Sequence, residues 1–336
     1  MNFSFTFKIK FMEKTFIGID VSSETLDICI KISGSAEYLK ISNQKTAIKA
    51  FLKNYAVAEC VLAMENTGRY NWTLLEVLAG MDLQVYVIPP IHLKKSLGLS
   101  RGKNDKIDSM RICNYIEKNQ NESDQWKASS VSITRLKVLL TERRSRIKMK
   151  SQLVRQQYDY KLMKSLALDK ELLKLNKKLI EAINKQISEI ESTIEQTIMG
   201  DNELKKQCEL IRSVPGVGKI VSWTMIAKTE GFSTINDPRK MACYCGVVPF
   251  EHQSGTSIRG RSRVSAFADK GLKSMLHLAA MSAIRSGNEL EPYYKRKVAE
   301  GKNKMSVLNA VRNKIIHRIF AVIKNQTMYK YELVLS

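Results

Sequence analysis

The sequence predicts a mixed α/β unit followed by α-helical structure. Three observations predict it. Short β-branched runs alternate with helical stretches up to about residue 125, glycine and proline are absent from Ser129 to Met199, and helical spacing returns after Leu204. The expected division is a front domain over 13–125, a helical arm over 126–203 and a mostly helical rear domain over 204–336. Residues 1–12 alternate apolar and polar side chains and lack the apolar centre of a signal peptide. They read as an extra edge strand, or as leader ahead of a start at Met12.

In the front, Phe16–Val21 (FIGIDV) and Leu26–Ile32 are apolar, β-branched runs, and Ser22, Ser23 and Glu24 between them signal a hairpin. A helix is expected around Lys45–Asn54. Ala58–Met64 reads as a buried strand ending at Glu65. Asn71–Gly80 reads as a helix with Gly80 as its stop, and Leu83–Ile88 as a strand closed by Pro89 and Pro90. Strands separated by helices imply a mainly parallel sheet.

In the arm, Leu136, Leu139, Leu140, Ile147, Leu153 and Val154 recur at helical spacing. So do Leu172, Leu179, Ile183, Ile187, Ile190 and Ile194. This pattern predicts a long helical hairpin or coiled coil with a break near Ala167–Asp169, either a spacer or a dimerisation arm. Its basic flank, Arg143, Arg144, Arg146, Lys148 and Lys150, also suits a run of phosphates. The rear holds a VPGVG turn, an irregular arginine-rich stretch over Glu251–Val264, and long helices from Lys270.

The 336 residues carry 55 Lys+Arg and 33 Asp+Glu, a net charge of +22, with 44% apolar residues. That composition excludes a disordered tail protein and a collagen-like chain. No apolar run is long enough for a membrane span, so no membrane partner is expected. Six scattered cysteines form no CxxC pair, which argues against a disulfide framework and a structural zinc site, and for a reducing cytoplasm. The charge is uneven: residues 1–125 hold 16 Lys+Arg and 14 Asp+Glu, and residues 126–336 hold 39 and 19. The basic rear implies a polyanionic partner, nucleic acid above all.

The front carries a set of acids. Asp20 ends the first strand and Glu65 ends a later one. Asp105 and Asp108 in KNDKIDSMR are spaced i, i+3 at the start of an expected helix, hence on one helix face. Alone, each acid reads as a cap, a dipole partner or a surface charge. Together they would repel and call for a cation, and oxygen-only ligands suit Mg²⁺ or Mn²⁺ in phosphoryl transfer. The order strand–Asp, strand–Glu, helix with D-x-x-D is that of an RNase-H-like, RuvC-type DEDD nuclease domain.

The rear carries two candidate elements. IRSVPGVGKIVSWTMIA resembles half of a helix-hairpin-helix, in which Gly216, Gly218 and Lys219 would meet a phosphate. A tight interhelical turn explains the same residues equally well. Further on, Ser254 precedes Gly255, with Arg259, Arg261 and Arg263 shortly downstream. A serine nucleophile attacking a phosphodiester needs such access and positive charge. Ser257, Ser262 and Ser265 are rivals, and His252 reads as a loop histidine or phosphate contact rather than a base.

Taken together, FIGIDVSSETLD, MENTG, KNDKIDSMR, IRSVPGVGKIVSWTMIA, CYCGVVPFEHQSG, GRSRV and DKGLKSMLHLAA resemble, in family order over nearly the whole chain, the insertion-sequence-110 family of transposases. These are DEDD-type, bridge-RNA-guided serine recombinases. The family's I-S-K-x-G-like stretch reads VSAFADKG here, with Lys270 and Gly271 filling the lysine and glycine at a shifted gap. The resemblance implies that Asp20, Glu65, Asp105 and Asp108 bind metal and that Ser254 becomes joined to a DNA phosphate. It also implies a site shared between subunits of a dimer or tetramer, a structured guide RNA pairing with donor and target DNA, and a place at the bacterial nucleoid. The alternatives are a RuvC-like, metal-dependent junction resolvase without a serine adduct, and a non-catalytic nucleic-acid scaffold.

Overall fold

A computed structural model describes residues 14–55, 59–96, 105–163, 167–254 and 258–330, with the side chains of 250–263 outside the description. The expected segment 1–12 and the start of the Ala58–Met64 run therefore lie outside the described residues. The chain divides into two compact units, 1–128 and 129–336.

The first unit is a five-stranded sheet in the order β3-β2-β1-β4-β5, with β1 Thr15–Val21, β2 Thr25–Ile32, β3 Ser35–Ser42, β4 Cys60–Glu65 and β5 Gln84–Ile88. β1, β2 and β3 form an antiparallel meander, while β1–β4 and β4–β5 are parallel. The sheet is thus mixed, not mainly parallel. The difference is β3, whose sequence SAEYLKIS is mostly exposed and gives no apolar run to read. Ser22 closes the β1–β2 turn, accepting a hydrogen bond at Oγ from the Thr25 N–H at 3.0 Å.

Both faces of the sheet are covered. On one, Ile17, Ile19 and Val21 of β1 pack with Ile48, Phe51 and Leu52 of α1 (Lys45–Leu52) and Leu74, Val77 and Leu78 of α2 (Trp72–Leu78). On the other, Val61 and Ala63 of β4 and Tyr86 and Ile88 of β5 pack with Leu93 of α3 (Pro90–Ser96) and Ile112 and Ile116 of α4 (Asp105–Asn119). The period-2 alternation of the strands sorts their side chains between the two layers. Gly18 lies under α4: a Cβ there would stand 2.3 Å from the Ser109 carbonyl oxygen and 2.4 Å from the Cys113 nitrogen. Only glycine lets the helix lie this close to β1.

The second unit is helical apart from one ribbon. Helices α5 (Val131–Leu162) and α6 (Asp169–Met199) run antiparallel, tied by Arg143 to Glu191 at 2.6 Å, Arg146 to Gln186 at 3.1 Å, and Asn176 to the Leu153 carbonyl at 3.1 Å. Their base is buried among the shorter helices. Ile133, Leu136, Ile194 and Ile198 share one apolar core with α7 (Asn202–Arg212), α8 (Lys219–Thr229), α9 (Pro238–Tyr244), α10 (Lys270–Ala283), α11 (Leu290–Ala299) and α12 (Lys304–Asn325). Side-chain caps fix several starts: Ser130 for α5, Asp201 for α7, Asp237 with Pro238 for α9, Asp269 for α10 and Asn303 for α12. The stretch expected to be irregular contains an antiparallel ribbon, β6 (Phe250–Ser254) and β7 (Ile258–Arg263). Among the described residues no helix is long and apolar enough to cross a membrane.

Candidate active site

Asp20 follows the last β1–β4 register pair, Ile19 with Met64, so it stands beside Glu65 where the two parallel strands end. Successive residues of a strand alternate faces, so Asp20 shares the face of Gly18, which is the face covered by α4. Asp105 and Asp108 occupy the first turn of that helix. The strand ends and the helix start thereby gather at one place.

The electrostatics report the gathering. The Asp20 carboxyl is pushed up from its usual 3.8 to about 6. Burial is the largest cause; next come the charges of Asp108, Asp105 and Glu65, and then Asp27. The other three acids singled out in the sequence are therefore near enough for Asp20 to feel their charge. Asp27 is a fifth that sequence reasoning passed over. It pairs with Asp20 across the β1–β2 ladder and is neutralised by Lys40 at 3.1 Å. The hairpin itself carried the signal, because the β1–β2 register sets these two acids opposite each other.

Asp108 also forms an ion pair with Arg111 at 2.7 Å, one turn on. Among the described residues no three acids, imidazoles or thiols come close enough to chelate one ion as they stand. The donor set nonetheless fits a hard divalent cation. It is oxygen only, and a half-buried carboxylate crowded by three others lacks compensating charge. Binding would require Asp108 to exchange its guanidinium partner for the ion.

In the second unit, Ser254 ends β6 and pairs with Ile258, the first residue of β7, which puts it at the end of the ribbon where the two strands are joined. Arg259, Arg261 and Arg263 occupy alternate positions of β7. The side chains of all four lie outside the described ones. Lys270 is exposed at the first position of α10.

The PGVG turn separates into its parts. Gly216 has φ +79°, and a Cβ there would meet the Ala279 carbonyl oxygen at 2.2 Å, so its missing side chain makes room for α10. Gly218 precedes α8 with open space where a Cβ would go. Lys219 is paired with Glu195. Packing thus accounts for Gly216, and of the three residues Gly218 leaves its backbone approachable.

An α/β sheet with carboxylates gathered at strand ends, followed by a basic helical region, defines a DNA transposase of the DEDD class. A model of IS110-type DEDD transposases, described as Transposase, matches residues 17–159. A second, described as Transposase IS116/IS110/IS902 family, matches residues 208–295. Together they cover well over half of the chain, which belongs to the IS110 family of transposases. Its relatives include the pilin gene-inverting protein of Moraxella bovis, 25% identical over 323 residues, covering 93% of this chain and 97% of that one. The Moraxella lacunata pilin gene-inverting protein is 26% identical over the same length. The transposase for insertion sequence element IS1111A of Coxiella burnetii is 21% identical over 345 residues, covering 94% and 91%. The chain is accordingly a transposase and recombinase of an insertion sequence, with a domain type that uses divalent metal.

Proposed function

We propose that this transposase cuts and rejoins DNA through a covalent serine–phosphate intermediate, guided by a structured RNA, with a RuvC-like acid site in the first unit and the serine in the second. The observation that carries the metal half is the convergence of Asp105, Asp108 and Glu65 on Asp20, at strand ends and a helix start. Asp20, Glu65, Asp105 and Asp108 would hold Mg²⁺ or Mn²⁺, which supplies positive charge to phosphoryl oxygens. The serine half is supported by the place of Ser254 at the end of a ribbon whose other strand bears three arginines.

In this reading the Ser254 Oγ bonds to the phosphorus as its proton leaves, and the bond from phosphorus to one deoxyribose oxygen breaks. The hydroxyl end so freed is exchanged for another, whose oxygen attacks the phosphoserine and regenerates Ser254. Arg259, Arg261, Arg263 and Lys270 by charge, and Gly218 by its backbone donor, would contact nucleic acid. Base pairing to the guide RNA would supply sequence choice, as backbone contacts do not. The α5–α6 pair, whose Leu175 and Leu179 are exposed, would join subunits into a dimer or tetramer that works at the nucleoid.

Trapping decides the reading. Recombination stopped in denaturant should leave DNA bound to protein in the wild type and none in Ser254→Ala. Adducts that survive in Ser254→Ala assign the nucleophile elsewhere, and nicked junctions with free ends in that variant identify a resolvase.

A further inference from the structure

The second unit buries a guanidinium that no carboxylate among the described residues balances. Arg312 of α12 is 6% exposed, and its hydrogen bonds run to neutral groups: Nη1 donates to Asn309 Oδ1 at 3.2 Å and Nη2 to His277 Nδ1 at 2.8 Å. Its Nε is buried with no partner. Because His277 accepts through Nδ1, it is neutral and carries its proton on Nε2, where it has a donor to offer. Lys273 lies one helical turn before His277 on α10 and likewise makes no ion pair among the described residues. Two cations and an imidazole N–H thus share the α10–α12 junction with no anion among the described residues. Buried charge of this kind is costly unless something compensates it.

The junction also holds the root of the ribbon. Asn309, which accepts from Arg312, donates through Nδ2 to the Val247 carbonyl at 2.6 Å. The Lys273 stem lies 3.9 Å from where a Gly246 Cβ would be. Residues 246 and 247 lead directly into β6.

We propose that Lys273, His277 and Arg312 form a seat for a nucleic-acid backbone phosphate at the root of the β6–β7 ribbon. Lys273 and His277, both part-exposed, make the direct contacts, while Arg312 lies behind them as a fixed charge and holds the imidazole in its donating form. Burial, and next the charge of Arg312, press the Lys273 ammonium below its usual range, which an arriving anion relieves. The proposal rests on the reading that this unit handles DNA, and it adds a phosphate contact remote from the serine.

The test is the salt dependence of DNA binding by the full chain, compared for wild type, Lys273→Gln and His277→Gln. Losing the uncharged His277 donor should weaken binding and leave the slope of log affinity against log salt unchanged, whereas losing the Lys273 ammonium should lower that slope by about 0.9. At 150 mM salt that is about a fivefold weakening, the same for every DNA sequence and with the unfolding midpoint unchanged. Sulfate, compared with chloride at equal ionic strength, should raise the unfolding midpoint of the wild type more than that of either variant. Arg312→Lys should keep more affinity than Arg312→Met if both fold. A wild-type slope in Lys273→Gln and wild-type affinity in His277→Gln, with equal sulfate protection, overturn the seat. Because binding is read without strand exchange, absence of Ser254 adducts beside a lowered slope rejects the serine and keeps the seat. Adducts beside an unchanged slope do the reverse.

Discussion

Replacing Asp20 by Asn should stabilise the metal-free protein while abolishing recombination. The distance from the usual 3.8 to about 6 corresponds to about 3 kcal/mol of disfavoured charge once the carboxyl has ionised. Asp20 is only part-buried, so solvent screening reduces this to about 1–2 kcal/mol. The folded-state value is raised. The relative stability of the protonated carboxyl is therefore fully present below about pH 4 and lost as pH rises through about 6. Asn keeps the shape and removes the charge. At pH 7.5 in chelator, Asp20→Asn should show slower hydrogen exchange in the β1 and β4 peptides and a higher denaturant midpoint, a gap that closes toward pH 4. Adding Mn²⁺ should stabilise the wild type and leave Asp20→Asn unmoved. A variant no more stable than wild type at pH 7.5 refutes the claim that the acids crowd one another.

Chelator should stop wild-type recombination, and Mg²⁺ or Mn²⁺ should restore it; full activity in excess chelator would remove the metal from the proposed chemistry. Gly18→Ala brings a methyl against the Ser109 carbonyl and Cys113 nitrogen, backbone atoms that no rotamer change can move. It should cost about 1–3 kcal/mol in denaturant unfolding and impair activity by lifting Asp105 and Asp108 away from Asp20. Asp269 caps α10 through the Leu272 N–H at 2.9 Å and pairs with Lys228 at 2.9 Å. Asp269→Ala should cost about 1–2 kcal/mol at pH 7. Burial works to raise the Asp269 carboxyl, but the Leu272 N–H and the Lys228 ammonium outweigh it and hold it below the usual range. Its contribution is therefore present above pH 4 and lost as pH falls further, so unfolding curves of variant and wild type should converge in acid.

The first unit was legible where its chemistry is local. FIGIDV and CVLAME are buried strands because β-branched and apolar residues fill both sides of a covered sheet, and their terminal acids mark the edge. The helix bearing Asp105 and Asp108 begins at Asp105, and the break expected near Ala167–Asp169 ends at Asp169, where α6 begins, but opens earlier, after Leu162. What was hidden depends on partners distant in sequence. β3 is an exposed edge strand whose pairing with β2, not its composition, makes it a strand. β7 alternates arginine with glycine and serine, a period of two without the apolar residues that usually announce it. Gly216 could not be assigned between ligand and packing until α10 was seen to fill its side-chain space. Arg312, one basic residue among 55, is set apart among the described ones by being buried.

The uneven charge then takes on a more specific meaning. The acids gathered around Asp20 repel a phosphate backbone: a pair of unit charges 4 Å apart costs about 1 kcal/mol in water and several times that where solvent is excluded. DNA therefore has no electrostatic reason to settle on the first unit of its own accord. The second unit carries nearly all of the positive surplus, and a surplus of that size draws polyanions over distances set by ionic strength. Affinity and metal chemistry are accordingly separable. Salt should weaken DNA binding through the second unit, with the acids contributing little to the slope. Metal should govern turnover with little effect on the number of phosphates bound. A slope of log affinity against log salt that is the same for wild type and Glu65→Gln, beside loss of recombination in Glu65→Gln, is the pattern this division requires; a large change in slope would place the acids in the binding surface itself.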